Sequence, residues 1–174
     1  IGLSLAMLAD QMQDKLDRGL FERVREINNV ATLIATSPPA NQEAARQWLE
    51  TMQSTLPDYV WIGITDANGR VSTATRGDLE GTNVASSGWF RTGLKGAVFG
   101  DIHGGGSQTE LLAAQRDGQA TRLIAVAAPI NVNGKINGVA GATLRWNWAK
   151  DVQDSLFGSP GGKEHAQVLV IATA

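Results

Sequence analysis

The sequence predicts an α+β fold, a long N-terminal helix packed on an antiparallel β-sheet, on three observations. Apolar residues at Leu5, Leu8, Met12, Leu16, Leu20, Val24, Ile27, Ala31 and Ile34 step by three or four, the spacing of one stripe along a helix. Further on, strand-like runs are joined by turn chemistry, at Asp66-Ala67-Asn68-Gly69, Arg116-Asp117-Gly118 and Asn131-Val132-Asn133-Gly134. Helix first and strands afterwards is the order of an α+β domain.

Off its stripe the first helix carries Asp10, Gln13, Asp14, Lys15, Arg18, Glu22, Arg25 and Glu26, a solvated face. The stripe is narrow and heptad-like, so it fits two partners equally well: the domain's own sheet, or the same helix of a second subunit. Pro38-Pro39 ends the helix, because proline has no amide donor and pushes the preceding residue away from helical angles. Asn41 is placed to cap a second helix, with Glu43 at its positive end and Trp48, Leu49 and Met52 on its core face.

Residues 59–65 then alternate, with Val60, Ile62 and Ile64 on one face and Tyr59, Trp61 and Gly63 on the other. The turn at 66–69 makes residues 70–75 their antiparallel neighbour. Further strands are predicted over 97–103, 109–115, 121–129 and 135–144, in meander-like order, giving a sheet with one face on the helices and one free to hold a ligand. Residues 146–156 predict an exit helix, and Gly158-Ser159-Pro160-Gly161-Gly162 breaks it before a strand-like run at 166–174.

A chain of 174 residues that is 43% hydrophobic buries one substantial core. Fifteen basic against 17 acidic side chains, with no basic run, argue against a nucleic-acid surface. With no cysteine, disulfides and thiolate metal sites are excluded. Two distant histidines and scattered carboxylates offer no metal set, and no cofactor is predicted. No apolar run reaches the roughly 20 residues that span a bilayer. The chain starts in mid-pattern at Ile1 and stops in mid-strand, so we expect a piece excised from a longer protein whose other parts hold membrane anchors.

Two motifs suggest enzymes. His103-Gly104-Gly105-Gly106 looks like the oxyanion segment of esterases, but no G-x-S-x-G elbow supplies a nucleophile, and a glycine loop is the better reading. Residues 158–163 look like a phosphate loop with the wrong glycine spacing, and Glu164 stands where a magnesium-binding hydroxyl is needed. The domain is therefore expected to bind and not to catalyse.

Residues 78–90, DLEGTNVASSGWF, place small polar groups and two large aromatics between strands, where a loop can fold over an open sheet and form a small-molecule pocket. The alternative is that Trp89 and Phe90 seal a core edge. The whole stretch 59–96, YVWIGITDANGRVSTATRGDLEGTNVASSGWFRTGLKG, resembles the ligand-sensing core of a Cache (PDC) domain, the PAS-like extracellular module of bacterial membrane receptors. AVFGDIH, RLIAVAAPI and GKINGVAGATL continue the resemblance to Leu144.

The resemblance implies a helical region at 1–57, a PAS-like ligand-binding sheet at 58–145, and at 146–174 an exit helix followed by either a second PAS-like unit or an extra edge strand. It implies a periplasmic sensor of a bacterial inner-membrane receptor, with a histidine kinase as the first expectation for its output and flanking transmembrane helices outside this chain. It also implies a homodimer through the N-terminal helix. A module that only dimerises, with a vestigial pocket, is the rival reading, and an esterase-like hydrolase a distant one.

The resemblance also implies the ligand contacts. Trp89 and Phe90 match the aromatic pair capping the ligand, and Arg91 lies beside them. Amino-acid-binding members place an arginine two residues before that tryptophan and an aspartate in the last strand; here those places are Ser87 and Thr143, so an ordinary amino acid is disfavoured. An organic acid would need Arg91, His103 or Arg145 turned inward. Phe99, Asp101 and His103 share one face of a strand that lines the pocket in the family, and Trp61 is placed to form a wall.

Overall fold

The computed structural model describes residues 2–101 and 123–145, with side chains from Ala6 to Gly100 and from Leu123 to Arg145. Helix α1 spans Gly2–Thr36, and α2 spans Gln42–Ser54. The strands are β1 (Tyr59–Thr65), β2 (Val71–Ala74), β3 (Val98–Asp101), β4 (Leu123–Val132) and β5 (Lys135–Arg145). A 3₁₀ turn at Thr75–Gly77 and a one-and-a-half-turn helix, α3 (Gly88–Gly93), lie between β2 and β3.

The helix boundaries follow from local chemistry. α1 stops before Pro38-Pro39, whose missing amides cannot continue it. Asn41 caps α2 with extended backbone angles, its side-chain oxygen accepting from the Ala44 N–H at 2.9 Å. Both hairpin turns use the conformations that their glycines and asparagines favour. Asn133 and Gly134 have φ of 52° and 82°, the left-handed pair of a type I′ turn. Asp66 accepts from the N–H groups of Asn68 and Arg70.

All ladders are antiparallel, in the order β2-β1-β5-β4-β3. This corrects the meander-like expectation: β1 lies inside the sheet between β2 and β5. After β2 the chain crosses the sheet through α3, reaches β3 at the far edge, and returns through β4 and β5. Being internal, β1 is buried along its whole length.

A register shift between Tyr59 and Trp61 also moves Tyr59 to the face opposite the one its alternation predicted. Tyr59 joins Ile62 and Ile64 on the α1 side, while Val60 packs apart from them with Leu123.

The main core lies between α1 and one face of the sheet. Met12, Leu16, Leu20, Ile27, Val30 and Ala31 of α1 pack with Ile124, Val126, Ala128 and Ile130 of β4 and Ala140, Ala142 and Leu144 of β5. Leu49 of α2 is fully buried in the same cluster, with Trp48 and Met52 beside it. The stripe on α1 thus packs on the domain's own sheet, and its outer face carries exposed Met7, Phe21 and Leu33. The strand expected at 109–115, the exit helix and the last strand lie outside the described residues.

Candidate functional site

The sheet's second face is covered by the segment that crosses it. Trp61, Val71, Ala74, Val84, Phe90, Ala127 and Val139 form a second core cluster, with Leu79, Ala85, Trp89, Leu94 and Val98 packed against it.

At its centre two indoles meet edge to face. The rings of Trp61 and Trp89 have centroids 5.9 Å apart at 61°, and Phe90 meets Trp89 at 6.2 Å and 86°. What admits them is a pair of glycines. A Cβ on Gly63 would stand 2.2 Å from the Trp61 ring, and one on Gly141 would stand 2.5 Å from the Trp89 ring. Each indole therefore lies on bare backbone. A third close approach seats α3, where a Cβ on Gly93 would come within 2.8 Å of Ala127 and Val139.

The two tryptophans differ in access and tethering. Trp61 is 2% exposed, and its indole N–H donates to the Asp78 carbonyl at 3.1 Å. Trp89 is only partly buried. Thr143, 2% exposed, is opposite Trp61 in the β1–β5 ladder and opposite Ala125 in the β4–β5 ladder.

The Asp78 carbonyl belongs to a contorted segment. Arg76, Gly77, Leu79 and Gly81 all have positive φ, at 58°, 70°, 67° and 81°. For Arg76 and Leu79, which carry a Cβ, that conformation costs on the order of 1–2 kcal/mol each. Contacts to α2 offset the cost. Arg46 donates from Nε and Nη2 to the two Glu80 carboxylate oxygens at 3.1 and 2.6 Å. Gln42 and the Ala74 N–H also donate to that carboxylate, each at 3.0 Å. The Arg76 N–H donates to Glu50 at 2.8 Å. The Arg46 hydrogen bonds, the first of several causes, hold the Glu80 carboxyl below the usual carboxylate range.

The nine residues singled out from sequence do not all converge. Trp61, Trp89, Phe90 and Thr143 stand on this face. Ser87 precedes α3 at its N-cap, partly buried. Arg91 is exposed on α3. Phe99 stands on the other face, 52% exposed, with Leu20, Phe21, Val24 and Arg25 along a groove of about 760 Å³ beside α1. The reason is parity: Val98 takes the inner position on β3, so its neighbour Phe99 points the opposite way. Asp101 pairs with Ile124 through its backbone, but its side chain and the whole of His103 lie outside the described residues.

Sequence reasoning passed over the glycine seats and the Glu80 anchor. Glycine inside a strand run is a signal of close approach, and Gly63 and Gly141 carried it. Nothing local could have paired Glu80 with Arg46, 34 positions earlier.

No family profile matches this sequence, and no curated protein is similar to it. Solved structures do match. One is the ligand-binding domain of the Pseudomonas aeruginosa PAO1 amino-acid chemoreceptor PctC in complex with GABA, with a TM-score of 0.67 at 15% identity over 87% of this chain and 65% of that one. Another is the ligand-binding domain of the Pseudomonas fluorescens chemoreceptor CtaA with L-valine, with a TM-score of 0.64 at 19% identity over 89% of this chain and 67% of that one. The sensor domain of the V. cholerae histidine kinase DctB matches with a TM-score of 0.57 at 14% identity over 87% of this chain and 57% of that one.

The fold is therefore the α+β fold of the Cache (PDC) sensor domains, as the sequence resemblance implied. The chain spans about three fifths of the length of these neighbours. No helix among the described residues is long and apolar enough to cross a membrane.

Proposed function

We propose that this chain is the extracytoplasmic small-molecule-sensing domain of a bacterial transmembrane receptor, with its ligand held between the indole-covered sheet face and the segment 78–94. The observation that carries this reading is the Trp61–Trp89 pair seated on Gly63 and Gly141, with Trp89 partly open. An aromatic face under a crossing segment is the chemistry of a small-molecule pocket. The fold neighbours support it, since those named above are ligand-binding or sensor domains.

Ligand closure of the segment around Trp89 would shift the helices joined to flanking membrane segments, which requires different ligand affinity in the two states. For the output we propose a histidine kinase, as in DctB. The ligand we propose is not an ordinary amino acid, because Ser87 and Thr143 bring no charge to meet its ammonium and carboxylate. Dimerisation would use the outer face of α1 around Phe21, which is 66% exposed.

A thermal-shift screen against organic acids, amines, sugars, purines and amino acids, with GABA and L-valine included, tests the reading. A ligand at a hundred times its Kd adds roughly 2.7 kcal/mol of stability. A hit that Trp89→Ala abolishes supports the sensor. A second reading, a dimerisation module with a vestigial pocket, is favoured by how completely Trp61, Phe90 and Gly93 close the sheet. A flat screen together with self-association would select it.

A further inference from the structure

We propose that Glu80 is a positioning residue for the aromatic wall: gripped by α2, it holds the left-handed 76–81 segment so that the Asp78 carbonyl meets the Trp61 indole. The consequence for sensing rests on the reading of that wall as the ligand surface. The linkage itself does not.

The chain of contacts is continuous. Trp61 Nε1 donates to Asp78 O at 3.1 Å. Asp78 stands between Gly77 and Leu79, both left-handed, with Arg76 and Gly81 left-handed on either side of them. Two residues after Asp78, the Glu80 carboxylate accepts four hydrogen bonds: two from Arg46, one from Gln42 and one from the Ala74 N–H. Two residues before it, the Arg76 N–H donates to Glu50 and its Nη2 donates to the Val60 carbonyl. The carbonyl that holds the indole is therefore clamped on both sides.

Three of the clamping side chains come from one element, α2. Gln42, Arg46 and Glu50 are spaced at i, i+4 and i+8, so they form a single stripe along α2. Leu49 of the same helix is fully buried in the core cluster that contains Ile27 and Val30 of α1. The hydrogen bonds of Glu80 go to Arg46, Gln42 and the Ala74 N–H, and it acts on Trp61 through the segment that carries the Asp78 carbonyl. An indole displaced by a ligand loses its acceptor unless the segment follows, and the segment cannot follow without loosening Glu80 from Arg46 or drawing α2 with it.

The test needs no ligand, so a failed screen leaves it standing and its failure leaves the sensor reading standing. In ¹⁵N-labelled protein, the Trp61 indole N–H signal is identified by its loss in Trp61→Phe. In Glu80→Gln that signal should shift and exchange with solvent about tenfold faster or more, while β4 amides keep their wild-type protection. Conversely, Trp61→Phe should speed exchange at the Arg76 amide. Should Glu80→Gln not fold, Glu50→Gln probes the same clamp from its other side. An unchanged Trp61 signal in a folded variant overturns the proposal. Loss of β4 protection in step with Trp61, in both variants, also overturns it by reducing Glu80 to a general structural role.

Discussion

Gly63 and Gly141 stand directly opposite one another in the β1–β5 ladder, and each lies beneath an indole, Trp61 over the first and Trp89 over the second. Two adjacent strands thus omit a side chain at the same rung. The space released is taken by two of the largest side chains in the protein.

Gly141→Ala should therefore destabilise the domain by about 1–3 kcal/mol, because the new methyl must displace the Trp89 ring in a packed cluster. Urea unfolding measures the loss, and a change in tryptophan emission should accompany it. Gly100→Ala is the control: among the described residues nothing lies within 4 Å of its added Cβ. It should be neutral or slightly stabilising, since alanine costs less backbone entropy in a strand.

The Arg46–Glu80 clasp makes stability depend on acid. A carboxyl whose pKa is lower in the folded chain than in the unfolded one stabilises the fold above its unfolded value. That contribution is lost as pH falls through the folded value. Glu80→Gln should cost about 1 kcal/mol near neutrality, the modest figure reflecting solvent screening of the pair. The gap between wild type and variant should close below about pH 4, near and under the ordinary carboxylate range. A gap that stays constant down to acid would contradict the assignment.

Tyr59 offers a clean optical probe, being the single tyrosine of the chain. Burial first, then its 2.6 Å hydrogen bond to Glu26, pushes the hydroxyl far above its ordinary value. A phenol with a raised folded pKa contributes stability that is complete below the unfolded value near 10 and falls away as pH rises beyond it. Phenolate absorbance should therefore appear together with loss of circular dichroism, not before it. Tyr59→Phe should cost about 1 kcal/mol.

Leu20 and Phe21 are neighbours on α1 with opposite fates. Leu20 is 8% exposed in the core and Phe21 is 66% exposed. Leu20→Glu should unfold the domain, so it cannot report on association. Phe21→Glu should leave stability within about 0.5 kcal/mol and, if the outer face of α1 joins two subunits, shift sedimentation toward the monomer.

Much of the fold was legible because it is written locally. The α1 stripe, the Asn41 cap, the stop at Pro38-Pro39 and the glycine turns at 66–69 and 131–134 each depend on residues within a few positions of one another, and each was found where expected. Strand order was not legible: the β1–β5 pairing joins residues about eighty positions apart, and many strand orders satisfy the same alternation. The same limit divided the site. Trp61, Trp89, Phe90 and Thr143 were singled out and share a face, whereas Phe99 stands on the opposite one, because alternation along a strand fixes which of its residues share a face and not which way that face points.

What the sequence determined by itself, then, was the described helices and strands, the ends set by Pro38-Pro39, Asn41 and the glycine turns, and the presence of a crossing segment with two aromatics, all set by short-range sterics, capping and periodicity. What only the tertiary structure decided was that β1 lies inside the sheet, that Gly63 meets Gly141 beneath two indoles, and that Glu80 reaches Arg46 across 34 positions. Those contacts form once the chain has closed on itself. Their energies come from packing and charge between residues that local rules never bring into one window.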